Sequence, residues 1–313
     1  MAAFKHKGCI VTAVVIIVLI YLPGLSNGNH LERAALTELT ELLAINQESG
    51  APAPHLNLEC VTEHCLAPSL ACVENSNCRE SINCAKDCMQ AWDNDTTKQK
   101  LHIQNCTNIC AFSYADEVYE KLMSCYTNYG CISFPPIPRM CLANDSIVPL
   151  KQLTIKNLAE QSWWVVKGLN EVYDCYPCQT IQFTQINSTL WDYIPQYEVY
   201  LRNGSLESIT QHLPIPNQPP NSKNITFVYH DVGLKHSETW WLLNEADDKS
   251  WLAMYYCGNT LQWYYEGALV FARSRTLSDN FYQSISSTYK SVLGVDFSQF
   301  CSVYNSEDCP KRV

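Results

Sequence analysis

Ten cysteines between Cys60 and Cys131 fall at C-x4-C-x6-C-x5-C-x5-C-x3-C-x17-C-x3-C-x14-C-x5-C, and no other feature restricts this chain so tightly. Few large apolar residues accompany them, so cross-links take over much of the work of a core, each stabilising by roughly 2 to 4 kcal/mol. The C-x3-C pairs Cys84/Cys88 and Cys106/Cys110 lie one helical turn apart and present two sulfurs on one helix face, as stapled helical hairpins do. Zinc is the rival reading, but the chain lacks the repeated C-x2-C and paired-histidine spacing that zinc sites use.

The whole chain of 313 residues has 17 cysteines, which points to an oxidising compartment. Lys5, His6 and Lys7 precede the apolar run "CIVTAVVIIVLIYL", and "PGLSNG" follows. This reads as a cleaved secretory signal over residues 1–28, too short for the roughly 20 residues of a membrane-spanning helix, so no stable membrane span is expected after cleavage. Removing it takes away Cys9 and leaves an even set that can pair completely: Cys60, Cys65, Cys72, Cys78, Cys84, Cys88, Cys106, Cys110, Cys125, Cys131, Cys141, Cys175, Cys178, Cys257, Cys301 and Cys309. Glycosylation acceptors at Asn94, Asn105, Asn144, Asn187, Asn203 and Asn224 fit the same secretory route. The expected location is therefore secreted or an endomembrane lumen. A net charge of -10 argues against nucleic acid, which requires a basic face.

After the signal, Leu36, Leu39, Leu42 and Leu43 form one helical stripe, read as an arm or pro-segment over 29–58. The cysteine-rich helical domain spans 59–132, and a proline-rich linker covers 133–152. From there the texture changes to short aromatic and β-branched runs, such as "YEVYLRN", "NITFVYHD" and "SWLAMYYC", separated by turn residues. Such runs predict an antiparallel meander over 153–276, whose eight strands can close around one small ligand, with a β-sandwich as competitor. A helix and a disulfide-tied tail complete residues 277–313. The predicted fold is thus mainly β with a small α domain: an eight-stranded antiparallel barrel, a disulfide-rich helical domain before it and a C-terminal helix after it.

The stretch "VYDCYPCQ" places Asp174 beside Cys175 and closes a C-x2-C pair at Cys178. It can be a redox dithiol, half of a metal site or a pair of staples. No helix start or βαβ context favours the redox reading, so the pair is read as structural and no metal is expected.

Together with the cysteine ladder, "WWVVKGLNEVYDCYPCQTIQF" (163–183) and "YYCGNTLQWYYEGALVFARS" (255–274) resemble violaxanthin de-epoxidases and their relatives, lipocalin-like proteins with a cysteine-rich domain in front. The resemblance implies a barrel base closed by Trp163 beneath Arg273, with Gln161 where the family has glycine. It implies a Cys178–Cys309 bridge. Cys175 and Cys257 have no counterparts in the de-epoxidases proper and are expected to pair with each other, leaving Cys141 for Cys301.

The family opens a ring epoxide with ascorbate as reductant, which requires acids that give and take protons. Asp174 matches the first acid of the family segment, but the second aligns with Pro177, and a later one falls on Leu261. The catalytic candidates are Asp174 and, if its strand turns it inward, Glu266; an aspartate in a turn also commonly caps a backbone amide. Tyr173, Tyr255, Tyr256, Trp263 and Tyr265 are the ligand-binding candidates, whereas His212, His230 and His236 show no ligand spacing.

The expected function is binding of a small hydrophobic ligand, carotenoid or other isoprenoid, with catalysis reduced or lost and no bound cofactor. One alternative is an active de-epoxidase-type oxidoreductase using ascorbate as co-substrate. Another is a protein-interaction module on a scaffold barrel. The resemblance also implies a possible homodimer and, as the alternative location, the plastid lumen.

Overall fold

A computed structural model describes residues 55–90, 97–133, 153–159, 162–218, 224–260 and 264–310. The signal, the arm up to residue 54 and all of the linker but Ser133 lie outside these, as do Cys141, Asn94, Asn144 and Trp263.

The cysteine ladder folds as five helices: α1 (Leu58–His64), α2 (Leu66–Glu74), α3 (Ser76–Gln90), α4 (Thr97–Tyr114) and α5 (Glu117–Asn128). Asn57 caps α1 by accepting from the Cys60 amide at 3.2 Å, and Asp116 caps α5 by accepting from Val118 and Tyr119, both at 3.0 Å. Cys60–Cys131, Cys65–Cys125 and Cys72–Cys78 surround a small core of Val61, Leu122 and Tyr126. The α3–α4 hairpin has even less apolar material; its buried centre consists of cysteines joined as Cys84–Cys110 and Cys88–Cys106. The one-turn spacing of the C-x3-C pairs therefore does what it predicts. The Cys88, Cys106 and Cys110 sulfurs cluster because two bridges lie side by side, and bonded sulfurs offer no thiolate to a metal. A short ladder of β1 (His55–Leu56) with β2 (Ile132–Ser133) ties the ends of the domain together.

The second part is an antiparallel sheet of β3 (Trp163–Gly168), β4 (Thr180–Asn187), β5 (Leu190–Tyr200), β6 (Leu206–Thr210), β7 (Leu213–Pro216), β8 (Ile225–Asp231), β9 (Leu234–Glu245), β10 (Trp251–Asn259) and β11 (Tyr264–Ala272), with β12 (Cys301–Ser302) added at the end. Eight strands run in the order β6-β5-β4-β3-β11-β10-β9-β8, while β7 pairs with β5 and β12 with β3. The sheet curls on itself: Tyr193 on β5 stacks on Phe227 of β8 at 5.5 Å and meets Trp240 of β9 edge-on at 5.8 Å. Among the described residues no backbone ladder joins β7 to β8, so hydrogen-bonded closure is incomplete. The Gln218 side chain bridges the seam instead, accepting from the Thr226 amide at 3.0 Å and donating to the Thr226 carbonyl at 2.9 Å.

Helix α6 (Ile155–Ala159) covers one end, where the Trp163 indole donates to the Leu158 carbonyl at 2.9 Å. The Arg273 guanidinium lies 3.4 Å above the Trp163 ring, the contact expected at the base. Helix α7 (Asp279–Leu293) packs Ile285 and Tyr289 on the outer face of β9–β11, and Tyr289 donates to the Leu269 carbonyl at 2.8 Å.

Cys178–Cys309 forms as expected, but the other two pairings are corrected: Cys175 bonds to Cys301, so neither Cys175–Cys257 nor Cys141–Cys301 exists. Strand β12 sets Cys301 opposite Gly168 at the end of β3, beside the loop that carries Cys175. Strand β11 separates β10, with Cys257, from that edge. Cys257 is itself disulfide-bonded.

Candidate functional site

A cavity of about 200 Å³ occupies the barrel end away from Trp163. The aromatic cluster of Phe183, Tyr193, Phe227 and Trp240 fills the interior below it. Helices α3 and α4 roof it, with Phe112 wedged edge-on against the stacked rings of Tyr176 and Tyr197.

Asp174 enters this cavity on the loop after β3. Its amide bonds the Asn170 carbonyl at 2.8 Å, while one carboxylate oxygen accepts from the Asn170 amide at 2.9 Å. The side chain of Asn170 in turn donates to the Glu266 carbonyl at 2.8 Å, anchoring the loop to β11. The other carboxylate oxygen accepts from the Tyr256 hydroxyl at 2.6 Å. Asp174 thus caps a backbone amide, as an aspartate in a turn commonly does, and also faces the cavity.

Glycines make that placement possible. A Cβ on Gly168 would lie 2.2 Å from the Asp174 Cβ, and one on Gly267 would lie 2.6 Å from an Asp174 oxygen and 2.5 Å from the Tyr256 hydroxyl. Neither clash can be relieved by a flexible side-chain tip alone, because Asp174 is held on both sides.

The second acid is Glu238, which the sequence reading did not single out. It lies on β9 with Trp240 and Leu242 two and four residues on, and period-two alternation places all three inward. Its carboxylate accepts from Tyr265 at 2.8 Å, from Tyr229 at 3.4 Å and from the Trp240 indole. An acid heading an inward apolar alternation was the available signal.

Glu266, the expected partner, is not in the cavity. Tyr265 takes the inward position on β11, so Glu266 points to the outer face, where it accepts from Tyr255 at 2.6 Å. Tyr255 packs there with Trp241, beneath α7, and is likewise corrected as a ligand contact. Tyr173, Tyr256 and Tyr265 do line the cavity. Its rim also carries Asp231, bonded by Gln211 at 2.8 Å, and His236, stacked on Tyr229 at 5.0 Å. His212 instead contacts Asp192 at 2.7 Å outside.

Burial pushes the Asp174 carboxyl up to about 8, against the pull of the Tyr256 and Asn170 donors and with a further push from the Glu238 charge. Glu238 is also raised by burial, opposed by three donors. Asp231 rises to about 6, mainly by burial, and His236 falls to about 4 for the same reason. At neutral pH Asp174 holds its proton and His236 is uncharged. Two buried acids, both pushed toward their neutral forms, thus share one small, largely aromatic chamber, with Asp174 placed to give a proton near neutral pH.

The family model described as VDE lipocalin domain matches residues 57–305. "Violaxanthin de-epoxidase, chloroplastic" from Spinacia oleracea is 23% identical over 256 residues, covering 79% of this chain and 51% of that protein. The protein of the same name from Arabidopsis thaliana is 24% identical over 257 residues, covering 79% and 52%. The chain therefore spans about half the length of these relatives. Among solved structures, lobster apocrustacyanin A1 is similar at 16% identity and a TM-score of 0.37, covering 54% of this chain and 96% of that one. Insecticyanin from the tobacco hornworm Manduca sexta is 16% identical with a TM-score of 0.39, covering 52% and 86%. Among the described residues no helix is long and apolar enough to cross a membrane.

Proposed function

The chain belongs to the family defined by the VDE lipocalin domain, and from that premise we propose that it binds an apolar, isoprenoid-type ligand by one ring-sized end and reductively removes an epoxide there. The observation that carries this reading is the presence of Asp174 and Glu238 in one cavity, held by Tyr256 and Tyr265. A volume of about 200 Å³ lies below the roughly 300 Å³ at which drug-sized pockets begin, which supports entry by one end of a longer molecule.

In this reading Asp174 donates its proton to the epoxide oxygen, and Glu238 accepts the proton lost from the neighbouring ring carbon. As the two electrons of ascorbate expel the oxygen as water and leave a carbon–carbon double bond, Glu238 returns its proton to the ring carbon; one of the two ascorbate protons completes the water, the other restores Asp174, and ascorbate becomes dehydroascorbate. The disulfides suit an oxidising lumen or the extracellular space. A second reading, ligand carriage without turnover, draws on Pro177, which stands where the resembling family segment has its second acid.

The test is incubation of the full chain with an epoxy-carotenoid and ascorbate at mildly acidic pH. Conversion that Asp174→Asn and Glu238→Gln each abolish supports turnover. Binding without conversion leaves carriage.

A further inference from the structure

Ser81 on α3 is 2% exposed, and its hydroxyl has no hydrogen-bond partner, yet it lines the same cavity as Asp174 and Glu238. A serine or threonine inside a helix ordinarily returns its hydroxyl to the carbonyl four residues back. In this same domain Ser69 does so to Cys65 at 2.6 Å and Thr107 to Ile103 at 2.9 Å. Ser81 does not. A buried hydroxyl with nothing to bond is unfavourable on its own, so its place in a cavity wall points to a group brought by a ligand.

The roof that carries Ser81 includes the small side chains of Ala85 on α3 and of Thr107 and Ala111 on α4, beside Asn108 and Phe112. Its position is fixed. The two bridges Cys84–Cys110 and Cys88–Cys106 hold α3 to α4, and Arg202 from the β5–β6 turn clamps the hairpin to the barrel. The Arg202 amide donates to Ser113 at 2.9 Å, and its guanidinium reaches the Cys84 sulfur at 2.7 Å. Among the described residues lining the cavity there is no lysine or arginine, so the group that meets Ser81 is neutral rather than a carboxylate or phosphate.

From this geometry we infer that the disulfide-rich domain is the second half of the binding site, with the Ser81 hydroxyl bonding a neutral hydroxyl or carbonyl on the ligand's ring end. The inference rests on the reading that the cavity receives such a ring, and not on turnover there. Gln179 is the control on the barrel side: its carbonyl oxygen is also buried without a partner, while its amide donates to the Tyr173 carbonyl at 3.1 Å.

The experiment uses the full chain and two ring probes, menthol and p-menthane, which differ by one hydroxyl, measured by displacement of a hydrophobic fluorophore. The wild-type protein should bind menthol about two- to ten-fold more tightly, the range one net hydrogen bond gives. Ser81→Ala should erase that preference and leave p-menthane affinity unchanged. A preference that survives Ser81→Ala, one lost only in Gln179→Leu, or binding of neither probe overturns the inference. Since neither probe has an epoxide, failure of the de-epoxidation reading alone would leave the menthol preference in place.

Discussion

The Tyr256 hydroxyl donates to the Asp174 carboxylate at 2.6 Å, joining β10 to the loop after β3 at the centre of the barrel's open end. Because the carboxyl at this junction is pushed up to about 8, folding takes up a proton there between about pH 4 and pH 8. The native state then binds more protons than the unfolded one, so stability is greatest below the unfolded value and declines as pH rises to about 8. The contribution changes by at most about 1.4 kcal/mol per pH unit. In Asp174→Asn this part of the decline disappears, which thermal melts of both proteins from pH 4 to pH 8 would reveal. An unchanged pH dependence would contradict the assigned burial.

Glu238 raises the Asp174 carboxyl through its negative charge. Glu238→Gln removes that charge and should lower the pH at which Asp174 loses its proton. A titration of Asp174 followed by carboxyl-carbon NMR checks the direction; a shift upward is incompatible with the two acids sharing one chamber.

Gly168→Ala would force a Cβ to within 2.2 Å of the Asp174 Cβ. The loop must move, at a cost of about 1 to 3 kcal/mol for overpacking. On the proposed de-epoxidation, conversion should fall at least ten-fold while the protein remains folded by circular dichroism. Full activity in this variant would place the working acid elsewhere.

Glu266 sits outside the barrel with Tyr255. Conversion by Glu266→Gln should stay within two-fold of wild type, measured beside Asp174→Asn in the same assay.

Peptide mapping without reduction should recover Cys175 linked to Cys301 and Cys178 linked to Cys309. Cys301→Ser, which opens a loop with a sequence separation of 126, should cost about 2 to 4 kcal/mol in denaturant unfolding. A Cys175–Cys257 peptide would overturn the register of β12 on β3.

The helical hairpin staples were legible because a three-residue gap between cysteines has one meaning on a helix, whatever surrounds it. The strands were legible from their aromatic and β-branched runs, and the Trp163–Arg273 contact only through the family resemblance, which implies that pair at the barrel base. Glu266 was misplaced because one residue of register turns a side chain through the sheet, and Tyr265 had the stronger claim on the interior. Glu238 went unnoticed because it stands far from Asp174 in sequence, on a strand whose other inward residues, Trp240 and Leu242, read as ordinary core.

Local spacing alone settled the kinds of element, the stapled helices and the antiparallel strands, since helix and strand periods are properties of neighbouring residues. Which acid meets Asp174, which cysteine meets Cys175 and what roofs the cavity were decided only when the sheet curled and α3–α4 docked on its mouth. Those contacts join residues far apart along the chain, and their geometry is set by strand order and register, which no short stretch of sequence contains.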